Sequence, residues 1–314
     1  MFDLHYDLLT NILMRKNDIK FLKKYCDDIY RKNNISGGIF NLFYMTPQEM
    51  KQELDIDFED INIIKNLEET KKIIEQNQLI PKCTKYIFGI EGLDYLNQIE
   101  DVDKIYELGV RSVNIVWNND NKFGGGIRAD KNKGLTSQGR ELVEKLVKTN
   151  IIIDLSHSNE KTFYDTINEC KKLEKLGYKP KIMASHSNCK KICKVERNLT
   201  DEQILKIKEL NGIVGIVSIK NFCTLNNKKN LKKIYIKHIQ HAKEVCGGTK
   251  NIGLSTDDMR YYKIEPEYYK NINIFKQEKI KEEICELLYN EKYKEEQISG
   301  ILEKNAIRLI DKNL

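Results

Sequence analysis

Only 5 of the 314 residues are histidine, and His5, His157 and His186 each fall at the end of a short apolar run rich in Ile and Val. In His5-Tyr6-Asp7 an imidazole and a carboxylate stand one residue apart. On a strand the two-residue period aims both at the same side, where they make half of a metal site; ordinary strand-end polarity is the plainer reading of so short a pair. Glu91 ends the run Ile87-Phe88-Gly89-Ile90. A carboxylate there is costly to bury unless it is paired or metal-bound, and otherwise it faces solvent or caps a helix. Asp154-Leu155-Ser156-His157-Ser158 and Ala184-Ser185-His186-Ser187-Asn188 repeat one context: apolar strand, imidazole, polar turn, helix. Together these runs supply three histidines, an aspartate and a glutamate, a set that suits two zinc ions or a related divalent pair. The glutamate can bridge the ions while each keeps a position for water. Neither serine beside a histidine lies in a Gly-x-Ser-x-Gly elbow, so acyl-enzyme chemistry is a minor option.

Other polar residues divide between chemistry and structure. The forked donors of Arg197 suit a substrate carboxylate, with a loop-ordering ion pair to Glu196 or Asp201 as the alternative. Asp257 and Asp258 follow the last strand-like run, where one could shuttle a proton or accept an amino group, or merely cap a helix. His238 and His241 are three apart in a lysine-rich helical stretch and read as solvent-facing. Cys189 and Cys193 have helical spacing but no second close pair, so all 8 cysteines read as free thiols of a reducing compartment rather than as disulfides or a structural zinc site. Gly124-Gly125-Gly126 reads as a flexible loop, not a phosphate cradle, because no clear helix follows it.

These residues need elements to position them. Apolar runs that read as strands recur at Phe2–Asp7, Gly38–Tyr44, Tyr86–Glu91, Val110–Val116, Ile151–Leu155, Ile182–Ser185, Ile213–Ser218 and Ile252–Ser255. Charged stretches with a 3.6-residue apolar period lie between them: Leu8–Tyr30, Gln48–Gln76, Asp101–Leu108, Ser137–Lys148, Glu160–Leu176, Asp201–Leu210 and Leu231–Val245, with Gln277–Tyr289 and Glu295–Leu309 closing the chain. Strand then helix, repeated eight times, predicts an α/β chain folded as a (β/α)8 TIM barrel. A doubly wound open sheet is the alternative, since strand order cannot be read from periodicity. No linker interrupts the pattern, so residues 1–314 read as one barrel domain with C-terminal helices from about 277. Arg260–Asn273, with four tyrosines and Pro266, reads as a lid or rim loop.

Composition narrows the function classes. With 40% hydrophobic and 32% charged residues the chain is not a disordered one. The net charge of +6 is spread over 53 basic and 47 acidic side chains, with no stripe of arginines and aromatics, so nucleic acid is not an expected partner. No apolar run reaches 18 residues, and Met1–His5 is not the start of a signal peptide, so we expect no membrane partner and a cytoplasmic protein.

Taken in order, Asp3-Leu4-His5-Tyr6-Asp7, Glu91-Gly92, Gly134-Leu135-Thr136 with Gly139, Asp154-Leu155-Ser156-His157, Ser185-His186-Ser187-Asn188 and Arg197-Asn198-Leu199-Thr200-Asp201 resemble the membrane (renal) dipeptidase family, peptidase family M19, and most of all its soluble bacterial members. Gly253-Leu254-Ser255-Thr256-Asp257 is a looser match. The resemblance implies a (β/α)8 metallodipeptidase with two zinc ions, one held by His5 and Asp7, the other by His157 and His186, with Glu91 bridging. It implies that a metal-bridged hydroxide attacks the peptide bond of a dipeptide. Arg197 would bind the substrate carboxylate, and Asp257 would contact its amino group or shuttle a proton to the leaving amine. A homodimer is compatible with the resemblance. Two positions depart from the family: Trp117 stands where a substrate-binding histidine is usual, which makes it a candidate pocket residue, and Asp258-Met259 replaces the usual aromatic-Asp-Gly ending. A related hydrolase of N-acyl amino acids or lactams, or a noncatalytic barrel stabilised by metal, is the alternative reading.

Overall fold

The computed structural model describes residues 1–32, 35–44, 61–225, 230–258, 272–276 and 279–310. All eight expected strands form: β1 (Phe2–Tyr6), β2 (Gly37–Phe43), β3 (Lys85–Glu91), β4 (Val110–Asn114), β5 (Ile152–Asp154), β6 (Ile182–Ala184), β7 (Ile213–Val217) and β8 (Ile252–Ser255). They pair in sequence order, every neighbour parallel, and β8 pairs with β1, so the sheet is a closed barrel and not a doubly wound sheet. Parallel neighbours require a crossover between strands, which is why each strand is followed by a helical return. The chain thus folds as a (β/α)8 TIM barrel.

The helices follow the periodic stretches with two corrections. The single helix expected over Leu8–Tyr30 is two, α1 (Leu8–Met14) and α2 (Ile19–Asp27), because the Asp18 carboxylate accepts the Phe21 N–H at 3.0 Å and caps a new helix start. The final stretch is also broken, into α11 (Glu295–Ser299), a wider π turn (Gly300–Lys304) and α12 (Asn305–Ile310). Between them run α3 (Ile63–Asn77), α4 (Asp101–Glu107), α5 (Ser137–Lys148), α6 (Glu160–Lys175), α7 (Asp201–Glu209), the short α8 (Lys220–Cys223), α9 (Leu231–Cys246) and α10 (Ile280–Asn290). The first part of the expected Gln48–Gln76 helix and most of the expected lid at Arg260–Asn273 lie outside the described residues.

Side chains, not solvent, fill the barrel. Phe2, Leu4, Ile39, Ile87, Ile152, Met183 and Ile213 pack together inside it, and Ala306, Leu309 and Ile310 of α12 close its lower end. Asn305 anchors that plug by donating to the carbonyls of Thr249 and Ile252 at 2.7 and 2.8 Å. Gly215 is a steric necessity in β7, because a Cβ there would lie 1.8 Å from the Ser185 carbonyl oxygen. The three glycines at 124–126 are buried and close-packed, which corrects their reading as a flexible loop: a Cβ on Gly126 would lie 2.1 Å from the Trp117 carbonyl oxygen. With its lower end plugged, the barrel offers concave space at the carboxyl ends of its strands, where such folds build their sites.

Candidate metal centre

Strand ends bring the singled-out residues to that face. His5 lies in β1 and Asp7 follows it; Glu91 closes β3; His157 and His186 stand just beyond β5 and β6; Asp257 lies just beyond β8. Register aligns the floor of the site, pairing Phe43 with Glu91, Glu91 with Asn114 and Asn114 with Asp154 across four strands. The β1–β2 register shifts between Asp3 and Tyr6, an irregularity of the kind that re-aims side chains next to sites. Two of these positions, His157 (φ 71) and Asp257 (φ 49), adopt the left-handed backbone that non-glycine residues seldom take, a form of strain that concentrates at functional sites. Gly92 (φ 85) needs that conformation too, and a Cβ there would press within 3.2 Å of Trp117 Cβ.

The polar atoms of these side chains converge. Glu91 splits its carboxylate: Oε2 lies 3.4 Å from His5 Nε2, while Oε1 lies 2.7 Å from His157 Nε2 and 3.2 Å from His186 Nε2. His5 Nε2 is also 3.6 Å from Asp7 Oδ1 and 4.0 Å from Asp257 Oδ1. Two sets of ligand atoms therefore lie close enough to share an ion, His5 with Glu91 and His186, and His5 with Asp7 and Asp257. His5 Nε2 and both carboxylate oxygens of Asp7 are buried with no hydrogen-bond partner, a costly state unless a cation completes them. Glu91 and the partly exposed Asp257 also lie near the Arg197 guanidinium. The donor set is the nitrogen and oxygen set that zinc and similar divalent ions take, so the residues fit such ions.

The crowding of charge shows in the titration of these groups. Burial alone would lower the His5 pKa, but the Glu91 and Asp7 carboxylates raise it well above the usual range. Burial and the nearby Arg197 charge lower His157 to about 4, and burial together with His5 holds His186 well below its usual value, which keeps both imidazoles neutral. Burial pushes Glu91 up, and His5 and His157 outweigh it, leaving the carboxyl well below its usual range. Asp257 is raised to about 7 by burial, with Asp7 and Glu91 adding to the shift.

Arg197 and Trp117 flank this cluster. Arg197 shares a narrow cleft with His157, Leu155 and Ser187, lies over the Phe222 ring at 5.3 Å, and keeps a buried Nη2 without a hydrogen-bond partner. That last observation goes against the alternative of an ion pair to Glu196 or Asp201. The loop carrying it is tied at both sides: Asn198 donates to the carbonyls of Cys193 and Phe222 at 2.9 and 2.7 Å, and Thr200 and Gln203 form a reciprocal cap on α7. Trp117 is partly exposed between Phe43 and His157, with ring centroids 4.9 and 5.9 Å away.

Several supporting residues carry no role in a reading of the sequence alone. Asp3 accepts the backbone N–H groups of His5 and Thr256 and the Thr256 hydroxyl, tying β1 to the Asp257 turn. Asn118 Oδ1 lies 2.9 Å from His157 Nδ1. Asp154 and Ser185 stand behind the imidazoles of His5 and His186. The signal present was their position next to the chemistry-bearing residues; what they touch depends on distant strands. His238 corrects the solvent-facing expectation. It is buried on the apolar face of α9, where its Nδ1 accepts the Cys189 N–H and its Nε2 donates to the Cys223 carbonyl, both at 3.1 Å. His241, partly buried, lies 2.7 Å from Asp201 Oδ1. All 8 cysteines are free thiols, as expected.

Comparison with known proteins bears on the family and the fold. A family model described as membrane dipeptidase (peptidase family M19) matches residues 1–313. An uncharacterized protein of Acinetobacter calcoaceticus, from the PQQ-III 3' region, is 30% identical over 233 residues, 68% of this chain and 70% of its own length. An uncharacterized dipeptidase of Schizosaccharomyces pombe is 29% identical over 174 residues, 54% of this chain and 41% of its own. The fold matches a dipeptidase described as an M19 metallopeptidase, with a TM-score of 0.74 at 19% identity over 98% of this chain and 97% of that one. A metallopeptidase from Rhodobacter sphaeroides, solved with a phosphinate mimic of the dipeptide L-Ala-D-Ala, matches with the same TM-score, identity and coverage. Among the described residues no helix is long and apolar enough to cross a membrane. With a closed parallel barrel, a cluster of imidazoles and carboxylates at its mouth, and a family match from the first residue to within one of the last, the chain belongs to the membrane dipeptidase family, peptidase family M19.

Proposed function

We propose that this protein is a metal-dependent dipeptidase whose site uses two divalent ions, most simply zinc. The observation that carries the reading is the convergence of buried, unpartnered ligand atoms of His5 and Asp7 on Glu91, with His157 and His186 on the other oxygen of the same carboxylate. In this reading His5 and Asp7 hold one ion, His157 and His186 the other, and Glu91 serves both. Bound there, such ions supply Lewis-acid polarisation of the scissile carbonyl and activation of water.

The chain's own residues do the rest. Arg197 takes the C-terminal carboxylate of the dipeptide through its forked donors, which is the use its unpartnered buried Nη2 suggests. Asp257, close to His5 and held in a left-handed turn, accepts the free amino group or passes a proton to the leaving amine. Trp117 presents a flat apolar face at the mouth and packs against the substrate side chain; its indole can donate one hydrogen bond but cannot carry charge as an imidazole can. The reading extends to a single barrel domain over residues 1–314, and to a cytoplasmic enzyme able to form a homodimer, supported by free thiols throughout and by the family match.

The full chain, loaded with zinc and tested against free dipeptides, N-acyl amino acids and lactams, decides the matter. The expected result is about two ions per chain and turnover that favours free dipeptides, with Glu91→Gln lowering occupancy of both ions. Metal content near zero under zinc-replete conditions rejects the centre. Preference for N-acyl amino acids or lactams rejects the dipeptidase assignment while leaving the metal in place.

A further inference from the structure

Ser185 is fully buried directly after β6, behind the cluster and not in it. Its hydroxyl touches three groups at once: Asp154 Oδ2, His186 Nδ1 at 2.7 Å and His5 Nδ1 at 3.1 Å. Asp154 is itself fixed, because its Oδ1 accepts the N–H of Ser156 at 3.0 Å and of Ser185 at 2.9 Å, which aims Oδ2 at the hydroxyl. A serine hydroxyl has one proton to give and two lone pairs to offer. With the carboxylate acting as acceptor, the single proton goes to Asp154. Both lone pairs then face imidazole nitrogens, and each contact is attractive only if that nitrogen carries hydrogen.

We propose that Ser185, oriented by Asp154, is a positioning residue shared by His5 and His186: it holds both rings with hydrogen on Nδ1, so that both Nε2 lone pairs point into the metal centre. The Nε2 atoms do face the centre, at 3.4 and 3.2 Å from the two oxygens of Glu91. His157 is oriented through Asn118 Oδ1 at 2.9 Å from its Nδ1, and its Nε2 meets the Nε2 of His186 at 2.9 Å, a contact of two lone pairs that a cation between them would relieve. On the proposed assignment of ligands, His5 belongs to one ion and His186 to the other. One hydroxyl therefore prepares a ligand of each ion, whereas Asn118 prepares a ligand of only one. The consequence is specific: losing Ser185 weakens both binding steps, and losing Asn118 weakens one.

The inference rests on the metal reading above, and the test separates the two. In the metal-free full chain, nitrogen-15 NMR of labelled histidine reports which ring nitrogens of His186 carry hydrogen. Stepwise zinc affinity is measured by competition with a chromogenic chelator. Wild type should show the Nδ1–H form of His186. Ser185→Ala should show a mixture with the Nε2–H form, and about 10- to 100-fold weaker affinity in both zinc steps. Asn118→Ala should weaken one step and leave the other within twofold of wild type. The urea midpoint of each metal-free variant reports whether the fold is retained; if Ser185→Ala does not fold, Ser185→Cys, with a similar volume and a weak acceptor, should give the same shift. The proposal is overturned if His186 keeps the Nδ1–H form in the Ser185 variant that folds, or if zinc affinity there stays within twofold of wild type. Failure of wild type to bind zinc would instead reject the metal reading, with the tautomer measurement still judging Ser185.

Discussion

Replacing Arg197 by alanine isolates the proposed carboxylate clamp. The guanidinium is buried, lies over Phe222 at 5.3 Å, and feels the carboxylates of Glu91, Asp257 and Asp154, while its Nη2 has no hydrogen-bond partner. Truncation therefore removes two kinds of interaction. Contact with Phe222, worth about 1–2 kcal/mol for a pair largely out of solvent, and the offset of the neighbouring carboxylates are lost whatever substrate is present. A forked contact to a substrate carboxylate in a closed site is worth roughly 2–5 kcal/mol, and is lost only for substrates that carry the carboxylate. At 1.36 kcal/mol per tenfold, kcat/KM on a free dipeptide should fall by roughly 30- to 5,000-fold more than on the same dipeptide amidated at its C-terminus. The assay is initial-rate hydrolysis of the two substrates by wild type and Arg197→Ala at matched zinc content. Equal losses on both substrates would remove Arg197 from the clamp and return it to the role of a loop-ordering cation.

Other outcomes follow from the same geometry. Asp257→Asn should reduce turnover by about 100-fold or more with both ions retained, as loss of a proton-transfer group does, whereas Asp258→Asn, fully buried beside Tyr6, should lower thermal stability more than turnover; reversed effects would show that the neighbouring carboxylate is the functional one. Trp117→His and Trp117→Ala should reorder preference across a dipeptide panel without loss of metal, and identical preference profiles would leave the indole as packing between Phe43 and His157. His238 has a folded pKa of about 4 against an ordinary 6.5, lowered mainly by burial, so the unfolded chain takes up a proton that the folded protein refuses. Its contribution to stability is complete above pH 6.5 and is lost as pH falls toward 4, amounting to about 3 kcal/mol. His238→Gln, which keeps a donor and an acceptor but does not titrate, should flatten the decline of the urea midpoint between pH 7 and pH 4.5; parallel curves would refute the assignment.

What the sequence determined by itself is what depends on near neighbours along the chain. Strand and helix follow from apolar spacing over a handful of residues, so all eight strands and most helix positions were legible, and the misjudged Leu8–Tyr30 helix failed only where one capping aspartate, Asp18, outweighed the continuing period. The ligand types were legible for a similar reason: a histidine or carboxylate placed where an apolar strand ends has few roles to choose from. Tertiary structure alone decided closure and register, because both depend on pairing between strands far apart in the chain. Asp3 meets Leu254 to close the barrel, and Glu91 shares a row with Asn114 and Asp154. The same holds for the shell behind the ligands. Ser185 reaches His5 across a separation of 180 residues, and no local period carries that information. His238 shows the converse: helical spacing revealed its helix, but the side chain faces inward because two backbone groups from other segments, the Cys189 N–H and the Cys223 carbonyl, needed partners that only the folded interior brought to it.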